Sequence, residues 1–159
     1  MLNRRRLLAL AALAPLAACA GGGPVRPGTT LIVLRHADRS GLELDSTGRA
    51  RARALVGALE GYEIDAIYAP DIRRNIDTAR PLAEARGLTI RNIPPTGIAA
   101  RLTAAHPGGT AVWIGNRDNL RALWAELGAD GPPPVEYGDL FIVETTTGAP
   151  RVTRRRHGP

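Results

Sequence analysis

The apolar residues of this chain fall in short runs, each closed by glycine, proline or a polar turn, with helical spacing between them. "TTLIVLRHA" (29–37) is β-rich, too short for a helix and bracketed by Gly28, so it predicts a first strand. "DSTGRARARALVGALEGY" opens with capping residues and continues with Ala and Leu at helical spacing, which places Arg49, Arg51 and Arg53 on the wet side and an end near Gly61. "EIDAIYAP" predicts a second strand. Residues 73–86 read as a helix that Pro81 interrupts or kinks, with Gly87 suited to the left-handed position after its end. "LTIRNI" is a third strand, "PPTGIAARLTAAH" a loop running into a short helix, and "TAVWIG" a fourth strand. The helix "RDNLRALWAEL" follows and stops at Gly128; "GADGPPPVEYG" is a turn-rich connection, and "DLFIVETTTG" is the last clear strand. Strands that alternate with helices favour an α/β fold: a three-layer sandwich with a mostly parallel central sheet flanked by helices. No internal repeat is visible.

The N-terminus has a different character. "MLNRRR" is a charged stretch, "LLALAALAPLAA" supplies twelve apolar residues, and "CAGGGP" follows. Twelve are too few for a membrane span, which needs ~20, so the segment reads as a signal peptide. Leu16-Ala17-Ala18-Cys19 resembles a bacterial lipobox, whose cysteine becomes the lipidated first residue of the mature protein. Cys19 is the single cysteine and has no intramolecular disulfide partner. The expected organisation is a lipoprotein signal peptide at 1–18, lipidated Cys19 with a Gly/Pro-rich tether at 19–28, one domain at 29–153, and a basic tail at 154–159. The location that follows is a bacterial cell envelope, lipid-anchored to a membrane and facing the periplasm or exterior.

The formal charge of +6 changes the picture little. Every basic residue is Arg, and seven of them sit at the two ends, leaving fourteen Arg against fifteen acids between. A nearly neutral body lacks the basic balance of a phosphate-backbone binder, so no nucleic-acid partner is expected. The "RRRHGP" terminus reads as exposed and frayed.

The strand pattern sets "RHADRS" just beyond the C-terminal end of the first strand and "GNRD" just beyond the fourth, the edge where open α/β sheets bind ligands. Four segments coincide in order and spacing: "LRHADRS", "LDSTGRARARAL", "IYAPDIRRNIDTARPLAEARGL" and "AVWIGNRDNLRALWAELG". Together they resemble the histidine phosphatase superfamily, the phosphoglycerate-mutase-like phosphatases, over about residues 29–153. "EYGDLFIVE" is similar to that family's final strand. The resemblance implies that His36 attacks phosphorus and becomes a phosphohistidine, with Ala37 where the motif has Gly. It implies Arg35 and Arg74 as phosphate-binding guanidiniums, Arg74 lying four residues before Thr78 of a Gln-Thr-Ala-like step. An imidazole is neutral and nucleophilic near pH 7, and planar guanidiniums suit phosphoryl oxygens.

Two positions depart from the family pattern. Its second histidine, in a Gly-His step after the fourth strand, is replaced by Asn116 after Gly115, a neutral donor in place of a charged one. Losing one directed donor at a transition-state oxyanion costs ~10²–10³ in rate elsewhere, unless Arg117 turns inward as a further phosphate contact. The acid that many members carry after the third strand is also absent from "RNIPPTGIAAR". Asp38 and Asp118 are stand-ins for the proton donor, though each has a plainer role as helix cap or arginine partner. His106 and His157 belong to a helix end and the tail. No metal-ligand spacing and no nucleotide loop is present, so no cofactor is expected. The expected activity is weak hydrolysis of a phosphomonoester, its partner a phosphorylated small molecule or phosphoprotein. The alternative is a catalytically inactive envelope lipoprotein that binds such a ligand. A mutase fits less well, since the chain has no insertion to hold and reorient a sugar phosphate.

Overall fold

A computed structural model describes residues 23–159. Six strands form the main sheet in the order β5-β4-β6-β1-β7-β8. β1 (Thr30–Arg35), β4 (Ala66–Ala69), β5 (Ile90–Asn92) and β6 (Thr110–Gly115) run parallel, while β7 (Asp139–Glu144) lies antiparallel to β1 and β8 (Arg151–Arg156) antiparallel to β7. The mostly parallel sheet and its two covered faces are those expected from the alternating pattern.

β1 shows how the layers arise. Its side chains alternate between faces, so Leu31 and Val33 join the cluster of Ile98, Leu102, Leu120, Leu123 and Trp124, whereas Ile32 and Leu34 join Leu55, Leu59, Ala79 and Leu82. α3 (Ile98–Ala105) and α4 (Arg117–Leu127) therefore cover one face, and α1 (Ser46–Ala58) and α2 (Arg73–Arg86) the other. All four β1 residues are fully buried, each contributing roughly 1.5–3 kcal/mol of transfer free energy. A central strand buried on both faces carries the continuous apolar run that the sequence displays.

The helix ends follow local chemistry. Asp45 caps α1 by accepting from the Gly48 N–H at 2.8 Å. Gly87 closes α2 at φ 63°, the left-handed conformation expected of it. Pro81 lies inside α2, which runs unbroken, so the interruption expected there is absent: only the backbone bond its nitrogen cannot donate is lost.

Four further expectations are corrected. The polar turn after β1 contains a small hairpin, β2 (Arg39–Ser40) with β3 (Glu43–Leu44). Residues 25–28, expected in a tether, are part of the domain: Val25 packs on the core, the Arg26 N–H donates to Thr103 Oγ1 at 3.0 Å and the Gly28 N–H to the Thr145 carbonyl at 2.9 Å. The C-terminal arginines are not frayed, because residues 151–156 pair with β7 throughout, and His157 is buried with its N–H donating to the Gly138 carbonyl at 2.9 Å. Arg51 is buried rather than wet. The signal peptide and Cys19 lie outside the described residues.

Candidate active site

Register brings the two polar clusters together. Arg35, the last residue of β1, pairs with Gly115, the last of β6, and the His36 N–H donates to the Gly115 carbonyl at 2.9 Å. The chain then leaves the sheet, and the Ala37 N–H donates to Thr78 Oγ1 at 2.9 Å. That hydroxyl donates in turn to the Arg74 carbonyl at 2.7 Å, one helical turn earlier. Asn75 fixes α2 to the neighbouring strand by donating from Nδ2 to the Ile114 carbonyl at 2.9 Å. Thr78 and Asn75 thus set α2 against the loop so that Arg74 reaches His36.

His36 is 2% exposed. Its Nδ1 lies 2.9 Å from the Ala37 carbonyl, which only accepts, so Nδ1 carries the proton. Nε2 accepts from Arg74 Nε–H at 3.1 Å, which leaves a neutral ring with its Nε2 lone pair facing a guanidinium. Burial is the main cause that pushes the His36 pKa down to about 4; the Ala37 carbonyl opposes it, and Arg35, Arg74 and Arg39 reinforce it. At neutral pH the imidazole is therefore an uncharged nucleophile.

Arg35 is held from the side. Nη1 donates to the Val135 carbonyl at 3.0 Å, Nη2 donates to the Tyr137 hydroxyl at 3.2 Å, and the guanidinium carbon lies 4.0 Å from the Tyr137 ring centroid. Its Nε is buried without a partner. The His36 and Tyr137 rings lie 5.9 Å apart. The arrangement can receive an anion: a neutral nitrogen nucleophile, an unused buried N–H and two guanidiniums converge at one sheet edge.

The remaining sequence candidates are placed as follows. Asn116 follows Gly115 at this edge, but its Oδ1 accepts from the Asn119 N–H at 3.2 Å while Asn119 Oδ1 accepts from the Asn116 N–H at 2.9 Å. This capping box uses the side-chain oxygen on α4 and leaves the amide NH₂ as the donor available to a ligand. Arg117 is half exposed and pairs with Glu136 at 3.8 Å, within electrostatic reach of Arg35 but not turned inward. Asp38 takes the plainer of its two expected roles. Arg51 Nε–H donates to its Oδ2 at 2.6 Å, and although burial alone would raise its pKa, the Arg51 bonds prevail and hold the carboxyl below its ordinary value. A carboxylate held ionised is a poor acid, so the geometry speaks against Asp38 as the proton donor. Asp118 is exposed in the first turn of α4. His106 faces the opposite end of the sheet, its Nε2 2.9 Å from the Tyr68 hydroxyl.

Sequence reading missed Tyr137, whose loop looked like a mere connection, and the buried Arg51. Thr78 was visible only as a motif position. Among the described residues no cluster of three or more His, Cys, Asp or Glu could hold a metal ion. A groove of about 680 Å³ lies between α1 and α2, lined by Arg49, Arg53, Arg73, Asp77 and Pro81, and does not include His36.

The model of the histidine phosphatase superfamily (branch 1) matches residues 25–94, which carry β1, the His36 loop and α2. The fold is similar to that of YhfR from Bacillus stearothermophilus, at a TM-score of 0.67 and 19% identity, covering 80% of this chain and 96% of that one. It is similar also to the protein histidine phosphatase SixA complexed with tungstate, at a TM-score of 0.62 and 18% identity, covering 81% of this chain and 96% of that one. A mycobacterial glucosyl-3-phosphoglycerate phosphatase with inorganic phosphate superposes at 0.59 with 17% identity, covering 82% and 97% respectively. No curated protein matches the chain by sequence. The family model thus covers residues 25–94 only, and the likeness to the three solved structures is one of fold.

Proposed function

We propose that this protein hydrolyses a phosphomonoester through a phosphohistidine on His36. The observation that carries the reading is the buried, neutral imidazole, with Nδ1 tied to the Ala37 carbonyl and Nε2 turned to Arg74. Nε2 attacks phosphorus, the bond to the leaving oxygen breaks, and Arg74 with the free Nε–H of Arg35 takes up charge on the phosphoryl oxygens. Water then attacks the phosphohistidine and releases phosphate. Dividing one displacement into two lowers each barrier, and the neutral ring requires no deprotonation before attack.

Asn116 weakens this machinery. One amide donor stands where a cation would hold the oxyanion, so turnover is slow. The same observation favours a second reading, in which the pocket binds a phosphorylated small molecule or phosphoprotein without transforming it. Hydrolysis of 4-nitrophenyl phosphate by the purified full chain, beside His36→Ala, separates the two. Activity lost in the variant supports turnover; equal rates leave binding alone.

The anchor belongs to the same proposal. Lipid on Cys19 would hold the domain at the cell envelope. The described chain enters at the N-terminal end of β1, whereas the site lies at its C-terminal end, ~20 Å away for six residues at ~3.3 Å each. Val25 is packed on the core, which keeps the entry point fixed. An anchor there turns the site away from the membrane, toward a substrate in the aqueous phase. Labelling with radioactive palmitate that Cys19→Ala abolishes is the expected result, and label retained in the variant would contradict it. Among the described residues no helix is long and apolar enough to cross a membrane.

A further inference from the structure

We propose that Tyr137 is the proton donor to the leaving group, an assignment that rests on the phosphohistidine reading above. A leaving alkoxide needs a proton, and the carboxylate nearest the nucleophile in sequence, Asp38, is held as an anion by Arg51. Tyr137 packs beside His36. Its ring centroid is 5.9 Å from that of the imidazole, which puts the phenol in the immediate neighbourhood of the nucleophile. The hydroxyl oxygen accepts from Arg35 Nη2 at 3.2 Å, and that leaves its own proton free for a different acceptor.

The same bond favours the charge that donation creates. As Nε2 of His36 bonds to phosphorus and the ester oxygen departs, the phenol proton passes to that oxygen and a phenolate remains. The guanidinium of Arg35 already points a donor at the phenolate oxygen and lies 4.0 Å from the ring centroid. In the second step the phenolate takes a proton from the attacking water, whose oxygen bonds to phosphorus as the bond to Nε2 breaks. Both steps balance without another reactant. Arg35 then has two tasks, a phosphoryl contact through its unpartnered Nε and support of Tyr137 through Nη2.

The test exploits leaving-group chemistry. A 4-nitrophenolate departs without help, whereas an alkoxide does not. The full chain, Tyr137→Phe, Glu136→Gln and His36→Ala are assayed on 4-nitrophenyl phosphate and on propyl phosphate. The expected result is that Tyr137→Phe lowers kcat/KM on propyl phosphate about 10²-fold more than on 4-nitrophenyl phosphate, the scale of general acid catalysis. A folding defect scales both substrates alike and cannot produce that ratio. Equal losses on the two substrates would reduce Tyr137 to a residue that positions Arg35 and overturn the proposal, as would the selective loss appearing in Glu136→Gln instead. Should the full chain and His36→Ala not differ on either substrate, the phosphohistidine reading itself fails and this proposal with it.

Discussion

Replacing Arg51 by Met is the sharpest structural perturbation available near the site. Its Nε–H and Nη2–H donate to the two oxygens of Asp38 at 2.6 and 3.5 Å, and Nη1–H donates to the His157 carbonyl at 2.7 Å. The side chains of Arg51 and Asp38 are 8% and 19% exposed, so water replaces little of what is lost. Methionine fills the volume but leaves a buried carboxylate and a carbonyl unpaired. Removing one partner of a buried pair costs about 3–5 kcal/mol, and the partly wet Asp38 places this case near 3. For a domain of this size that lowers Tm by about 6–12 °C. Urea melts of Arg51→Met, Asp38→Asn and the double variant measure it, with a coupling above ~1 kcal/mol expected between the two. The pH dependence has a definite sign. Arg51 holds the Asp38 carboxyl below its ordinary value of 3.8, so the pair stabilises the fold above that pH and the gain is lost as pH falls through the lower folded value. Arg51→Met should lose this slope. A variant within 0.5 kcal/mol of the parent, or effects that add without coupling, would refute the reasoning.

Gly48→Ala should damage activity, although alanine ordinarily favours a helix by ~1 kcal/mol: a Cβ there would run into the Asp38 carbonyl oxygen and displace the His36 loop, which kcat/KM beside a thermal melt would detect. Asn116→His should raise 4-nitrophenyl phosphate hydrolysis by about 10² by restoring a charged donor at the oxyanion, and no gain would show that the pocket itself has changed. Burial lowers His36 and His157 to about 4 each, so both stay neutral until well below 6.5; stability from their neutral forms is present above that value and declines as pH falls toward 4. Nitrogen-15 NMR titration checks this directly, the expected His36 signal being a neutral ring protonated at Nδ1 at pH 6.

Much of the scaffold was legible because its signals are local. β6 and α4 begin and end where glycine, Asn116 and Gly128 punctuate the apolar pattern. His36, Arg35 and Arg74 were legible because a fixed strand end and a fixed helical offset carry them. β8 was not, since an edge strand of Arg-Val-Thr-Arg-Arg-Arg buries almost nothing and reads as a charge run; β7 gives it a backbone partner that no side-chain pattern announces. Arg51 was misplaced because helical spacing assigns a face but not what covers it, and here Asp38 and the residues after β8 do so. Tyr137 was invisible for a related reason. It sits in a proline-rich connection a hundred residues from Arg35, and only the antiparallel return of β7 beside β1 brings them together.

The central claim is covalent chemistry at Nε2 of His36, and rapid quenching tests it most directly. The full chain is mixed with 4-nitrophenyl [³²P]phosphate, stopped in alkali and digested for mass spectrometry. An acid-labile, base-stable phosphoryl group on the peptide containing His36, absent from His36→Ala, is the expected result. Release of 4-nitrophenol that His36→Ala does not diminish, with no label on that peptide, would contradict it.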